Sequence, residues 1–225
     1  MKFRDRIDAG QKLAKVLKEK YPQVDGVVYP LPRGGLPLGI EIARVMELPL
    51  GLIIPRKIGH PFSPEYAICA VSESGDTVCN ESEVTRVDRK WFEQRVAEER
   101  KESQRRRQAY FPGREPLPLE GKTAILVDDG IATGLTMRAA IRDARARKAA
   151  HIVVAIPVSP KETAKLLRQE VDDVVALSVD EFYLGSVGAY YKDFNQVSDD
   201  EAIAMINQFE HERSGKQNTS HGAAL

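Results

Sequence analysis

The stretch Ala124-Ile-Leu-Val-Asp-Asp-Gly-Ile-Ala-Thr-Gly-Leu-Thr136 carries the residues best suited to chemistry. Ala124 to Val127 is an unbroken apolar run, the pattern of a strand buried on both faces. Asp128 and Asp129 follow at its carboxyl end, where open α/β sheets bind ligands. A loop of small residues, Gly130, Ile131, Ala132, Thr133 and Gly134, then opens into a helix at Leu135 and Thr136. A loop of this kind offers unpaired backbone N–H groups at a helix N-terminus, where the dipole also favours an anion. Ala132 and Gly134 keep bulk away so that the backbone can approach phosphate oxygens, while Thr133 and Thr136 add hydroxyl donors. Two carboxylates beside such a loop are placed to meet the hydroxyls of a phosphorylated sugar. An ordinary strand–turn–helix with Asp129 or Thr133 as N-cap explains single residues. It does not explain paired acids, a small-residue loop and a threonine-flanked glycine together.

The elements that position this segment follow from periodicity. Phe3, Ile7, Leu13, Val16 and Leu17 fall at helical spacing, so residues 3–20 read as an amphipathic helix. Gly26–Tyr29 and Pro49–Ile54 read as buried strands around a helix Leu36–Met46, with Leu38, Ile42, Val45 and Met46 facing inward. Tyr66–Val71 and Thr77–Asn80 suggest an antiparallel excursion punctuated by Gly59, Pro61, Pro64 and Gly75. Val87–Tyr110 is a charged helix whose acids interleave with its arginines, as in the pair Glu102–Arg106, so it reads as a solvated face rather than a nucleic-acid groove. From Lys122 onward strand and helix alternate: Lys122–Val127, Leu135–Arg147, His151–Pro157, Lys161–Glu170 and Val174–Leu177. A last helix is expected over Asp199–Phe209. The expected class is α/β, a central parallel β-sheet flanked by helices with a small insertion.

Composition narrows the function classes. Lys+Arg equals Asp+Glu at 33 each, so no global field points to nucleic acid or to an anionic membrane. No apolar run approaches the roughly 20 residues of a membrane span, and no signal peptide is legible, so a cytoplasmic protein is expected. Cys69 and Cys79 form no CxxC, which argues against zinc and against a disulfide framework; reduced thiols are expected.

The segment Ala124–Thr136 closely resembles the signature by which type I phosphoribosyltransferases bind 5-phosphoribosyl-1-pyrophosphate (PRPP). It departs at Gly130, where that family usually has an aliphatic residue or serine, and a slightly looser loop is expected. The resemblance implies a Rossmann-like fold in which Asp128 and Asp129 hold the ribose hydroxyls and Gly130–Thr136 cradle the 5′-phosphate. It also implies a pyrophosphate loop after the first core strand, where Pro32-Arg33-Gly34-Gly35 lies, often with an unusual cis peptide. Arg33 would then give charge-assisted bonds to the diphosphate, with Gly34 and Gly35 as an anion nest. Arg56 or Lys57 would meet the same group, and His60 would sit in a mobile loop. Residues 179–197 resemble the acceptor hood of hypoxanthine–guanine-type enzymes. By that likeness Phe182 or Tyr183 stacks on a planar acceptor, the Val187 backbone reads its edge, and Asp193 assists the acceptor or Mg²⁺. The implied organisation is one core over residues 1–178 and 198–213, with an insertion at about 57–118, the hood, and a flexible tail over 214–225. Mg²⁺, held mainly by substrate and water, and a homodimer follow from the same likeness. Where the hypoxanthine–guanine type has an acid, this chain has Ala132, which moves no proton. That leaves the acceptor open and allows, as an alternative, a non-catalytic PRPP sensor on the same fold.

Overall fold

The computed structural model describes residues 2–221, with side chains through residue 215. In chain order the elements are α1 (Arg6–Lys20), β1 (Gly26–Pro30), α2 (Leu36–Met46), β2 (Arg56–His60), β3 (Ser63–Val71), β4 (Thr77–Cys79), α3 (Glu81–Val84), α4 (Arg89–Tyr110), β5 (Thr123–Val127), α5 (Leu135–Ala146), β6 (His151–Pro160), α6 (Lys161–Glu170), β7 (Asp173–Asp180) and α7 (Asp199–His221). A short 3₁₀ turn, Val187–Tyr190, precedes α7.

β1, β5, β6 and β7 form one parallel sheet in the order β1-β5-β6-β7. Alternation along each strand divides the core in two, because successive side chains point to opposite faces. Val28, Ile125, Val127 and Val153 pack on one side against Leu13 and Leu17 of α1, Leu38 and Ile42 of α2, and Ile206 of α7. Val27, Tyr29, Leu126 and Val154 face the other way onto Met137 and Ile141 of α5 and Leu167 of α6. Both faces are therefore covered, as the apolar run at Ala124–Val127 requires.

β2, β3 and β4 make a separate antiparallel sheet, with a bulge where β2 and β3 lose register at Gly59. One side rests on Trp91, Phe92 and Val96 of α4. The β3–β4 register sets Cys69 opposite Cys79, and the two are joined as a disulfide, not left as thiols. Lone spacing could not reveal this, because a sequence separation of 10 says nothing of a shared rung.

Four expectations are corrected for identifiable reasons. α1 starts at Arg6, capped by Asp5, whose carboxylate accepts from Asp8 N. Phe3 is thereby freed to bridge Tyr191. Leu50 to Ile54 are buried, but among the described residues this segment pairs only through Leu50 with Val28. Side chains of α4 take its later carbonyls: Ser103 Oγ donates to Ile54 O (2.5 Å) and Arg107 Nη2 to Leu52 O (2.7 Å). Val45 lies 43% exposed on the outer side of α2, so it is not part of the core. The last helix runs past Phe209 through Ser214 to His221, fastened by Arg114–Glu210 and Arg44–Glu212 ion pairs. Of the expected tail, residues 222–225 lie outside the described residues.

Candidate active site at the carboxyl end of the parallel sheet

The backbone of β5 ends at Val127, and Asp128 and Asp129 project from the sheet end, with Asp129 N donating to Asp128 Oδ1 at 2.9 Å. Gly130 follows at φ 152°, where a Cβ would stand 2.6 Å from Val187 and 3.0 Å from Val158. Glycine is thus demanded by crowding under the hood, which corrects the expectation of a looser loop. Ile131 N returns to the sheet through Val158 O (3.0 Å), and Thr163 Oγ1 donates to Ala132 O (2.8 Å). The N-cap of α5 is Gly134 at φ 77°, with no side-chain cap, so neither Asp129 nor Thr133 spends an oxygen there. Backbone N–H groups of Ala132, Thr133, Leu135 and Thr136 have no acceptor among the described residues, as expected of an uncapped helix start. The loop is a ready anion cradle.

A second loop comes from β1 and lies directly against the first. Leu31 N donates to Val127 O (2.8 Å), Gly35 N to Leu31 O (3.0 Å), and the Pro32–Arg33 peptide is cis. A Cβ on Gly34 would fall 2.2 Å from Asp129 Oδ2, and one on Gly35 2.5 Å from Val127 O. Glycines at both places let this loop touch the acid pair. Arg33 Nη1 meets Asp199 Oδ1 at 3.2 Å, and the Tyr110 hydroxyl donates to that same oxygen at 2.6 Å. The Tyr110 hydroxyl, opposed by partial burial and helped by Arg106, Arg33 and Arg105, holds Asp199 below the usual carboxylate range.

The acids themselves sit in a demanding environment. Burial, then the charge of Asp129, pushes Asp128 well above the usual carboxylate range. Burial also raises Asp129, with Arg6 as the main opposing influence through an Nε–Oδ2 contact of 2.8 Å. Tyr191 donates its hydroxyl to Asp129 O at 2.6 Å. The Tyr183 ring stacks on Tyr190 at 5.5 Å, and its hydroxyl is the buried side-chain polar atom left without a partner among the described residues. Burial, then Tyr190 and Asp129, pushes that phenol up to about 12.

Above the acids opens a cleft of about 270 Å³. Asp128, the Gly130–Gly134 loop, Thr136 and Val187 form its floor and one wall; Lys57, Glu65, Tyr66 and Ala67 from β2 and β3 form the other. Lys57 Nζ pairs with Glu65 across the hairpin at 3.2 Å. A neighbouring hollow of about 590 Å³ shares Lys57 and Thr136 and reaches Pro32, His60, Trp91 and Arg95.

Most residues singled out from sequence therefore converge: Asp128, Asp129, Gly130–Thr136, Gly34, Lys57 and Val187 lie in or directly beside one cleft. Others stand apart. Phe182 is 86% exposed, Tyr183 is turned onto Tyr190, and Asp193 is exposed and bound to Asn195 at 2.6 Å. Arg56 is occupied by Glu99 and Arg33 by Asp199, and neither lines this cleft. Sequence reasoning passed over Arg6, Glu65, Tyr66, Tyr191 and Asp199. Of these only Arg6 carried a signal: a cation in the first turn of a helix opposes the dipole and needs another reason to be there.

A family model described as a phosphoribosyl transferase domain matches residues 4–193. The chain belongs to the phosphoribosyl transferase family. This family member is 36% identical to the protein TT1426 from Thermus thermophilus, whose crystal structure superimposes with a TM-score of 0.76 over 93% of this chain and 99% of that one. It is also 38% identical over 211 residues to a protein of Mycobacterium tuberculosis strain H37Rv named "Putative phosphoribosyl transferase Rv0571c", and equally to its counterpart in strain CDC 1551. The match takes in 92% of this chain but 46% of those relatives, so the chain spans about half their length. Among the described residues no helix is long and apolar enough to cross a membrane.

Proposed function

We propose that this family member transfers the 5-phosphoribosyl group of PRPP to a nitrogenous, nucleobase-like acceptor and releases pyrophosphate. One observation carries the reading: an acid pair, an uncapped helix-start loop and a glycine loop meet within a few ångströms at one sheet end. Each matches one part of PRPP. The N–H groups of Ala132–Thr136 receive the 5′-phosphate. Asp128 and Asp129 accept from the ribose hydroxyls and favour positive charge developing on the ring. The Gly34–Gly35 backbone is assigned to the diphosphate, and Arg33 and Lys57 would reach it by leaving their partners Asp199 and Glu65. The acceptor nitrogen forms a bond to C1′ as the C1′–O bond breaks, its electron pair leaving on pyrophosphate and the nitrogen's proton passing to solvent or a base. The β2–β3 hairpin, with Tyr66 beside the cleft, would exclude water that would otherwise hydrolyse the sugar.

The donor set fits Mg²⁺ carried by the substrate. Such a cation would take its hard oxygen ligands from diphosphate, ribose and water. When bound it would neutralise charge on the departing diphosphate. No side chain is assigned as its direct ligand, and Asp193, tied to Asn195, is not carried forward.

Ala132, exposed on the loop, favours a second reading in which the chain binds PRPP as a regulator. Pyrophosphate release from PRPP and Mg²⁺ with a panel of nucleobases separates the two. Base-dependent release supports the transferase. Saturable PRPP binding by calorimetry without release supports the regulator, and no binding at all ends both readings.

A further inference from the structure

We propose that Arg6 is a positioning residue that fixes Asp129 for its sugar contact and couples it to the hood. This deepens the transferase reading and rests on it. Arg6 and Asp129 lie 123 residues apart, and their side chains are only 12% and 13% exposed. Nothing in α1 favours Arg6 where it stands. It follows the N-cap Asp5, at the helix end whose partial charge repels a cation. Three contacts define its pose instead. Nε donates to Asp129 Oδ2 at 2.8 Å, Nη1 donates to Asn195 O at 2.6 Å, and the guanidinium lies 3.8 Å over the Phe194 ring. A planar fork with separated donors can serve all three directions, which an ammonium cannot.

The carboxylate is held from its other side as well. The space a Cβ would take at Gly34 is filled by Asp129 Oδ2, the oxygen that Arg6 grips. Asp129 is therefore wedged between the glycine loop and the guanidinium, with Oδ2 engaged by Arg6. The hood shares the same anchor. Phe3 N donates to Tyr190 O (2.8 Å), Lys192 N to Phe3 O (2.9 Å) and Asp193 N to Arg4 O (2.9 Å), so the segment leading into α1 is laced to residues 190–193. Phe194 packs on Tyr191 at 4.8 Å, whose hydroxyl reaches Asp129 O. Arg6 closes this ring of contacts.

Charge supports the geometry. The titratable and charged groups around Asp129 are Asp128 beside it, Tyr183 and Tyr191 from the hood, Arg33 on the glycine loop, and Lys57 with Glu65 on the far wall. Lys57 is paired to Glu65 and Arg33 to Asp199, which leaves Arg6, among the described residues, as the cation in contact with the acid pair.

The test uses the full chain and its Arg6→Met, Arg6→Lys and Asp129→Asn variants, checked for folding by thermal melting. Calorimetry with PRPP and Mg²⁺ should show roughly 10–100-fold weaker binding for Arg6→Met at neutral pH, the range expected when a positioning contact is lost. The deficit should narrow as pH rises, and Arg6→Lys should restore only part of the affinity. Adding Arg6→Met to Asp129→Asn should cost little more, since a residue that acts through Asp129 has nothing left to position. Carbon NMR of the aspartate carboxyls provides a second readout that needs no ligand: Asp129 should titrate at higher pH in Arg6→Met than in the unmodified chain. A folded Arg6→Met variant with unchanged PRPP affinity, pH profile and Asp129 titration overturns the role of Arg6. If instead the unmodified chain binds no PRPP while the titration shift appears, the functional reading fails and the hold of Arg6 on Asp129 stands.

Discussion

The two sheets of this molecule are built from different materials. The parallel sheet is apolar on both faces, and every residue of β1 and β5 is buried. The antiparallel sheet is buried only toward its closed end: Ser63 to Tyr66 are exposed, whereas Ile68 to Val71 are not. The first sheet presents Asp128, Asp129 and the phosphate-type loop; the second brings Lys57, Glu65 and Tyr66 to the opposite wall. A rigid platform paired with a thinly packed wall lets one side fix a ligand while the other adjusts, since low-stability elements are the ones that move.

Four experiments would break or sharpen that contrast. The largest effect is expected on the platform. Asp128→Asn should lower PRPP turnover about 10²–10³-fold, the scale of a lost charge-stabilising group. The same variant should melt higher without ligand at pH 8. Asp128 is raised in the folded chain, which therefore keeps a proton the unfolded chain releases, and stability falls as pH climbs through the folded value. Removing the ionisable group removes that loss. Equal melting of variant and parent from pH 5 to pH 8 would show that Asp128 is not desolvated. Next, Ile125→Ala, fully buried in β5, should cost about 2–5 kcal/mol in urea unfolding, because the surrounding sheet cannot collapse into the void.

The wall should respond more gently. Reducing the Cys69–Cys79 bridge opens a short loop and should cost about 2–3 kcal/mol, with loss of amide protection confined to β3 and β4. Protection lost equally in β5 and β6 would show that the two sheets unfold as one. Smallest of all, Glu65→Ala should change stability by less than about 0.5 kcal/mol, since its pair with Lys57 is a surface one. By freeing Lys57 it should lower the KM for PRPP if that lysine meets the diphosphate, and a raised KM would assign Glu65 a direct contact instead.

The same contrast explains what was legible in the chain. Ala124–Thr136 announced strand, acids and loop because all its determinants are local: an apolar run, two charges and a loop of small residues. Lys161–Glu170 and Leu36–Met46 were equally readable from periodicity, and both observed helices carry those bounds. What escaped notice depends on distant partners. Pro49–Ile54 looks like a strand until α4 claims its carbonyls, and Cys69 and Cys79 look like spare thiols until register sets them side by side. Arg6 shows the limit most sharply, since its partner lies at the far end of the core. Within residues 179–197 Val187 does reach the cleft, but the aromatics could not be sorted from sequence, because an irregular segment has no period to say which of them turns inward. Phe182 turns out and Tyr191 turns in.

Gly130 has one further consequence. Val187 of the hood and Val158 of β6 close over it so tightly that no methyl group fits. A bulkier residue at position 187 would press on the very turn that shapes the anion loop, so reshaping that part of the roof disturbs the floor. Variants meant to change what this cleft binds should therefore leave position 187 alone and vary Tyr66 and Glu65, which are exposed.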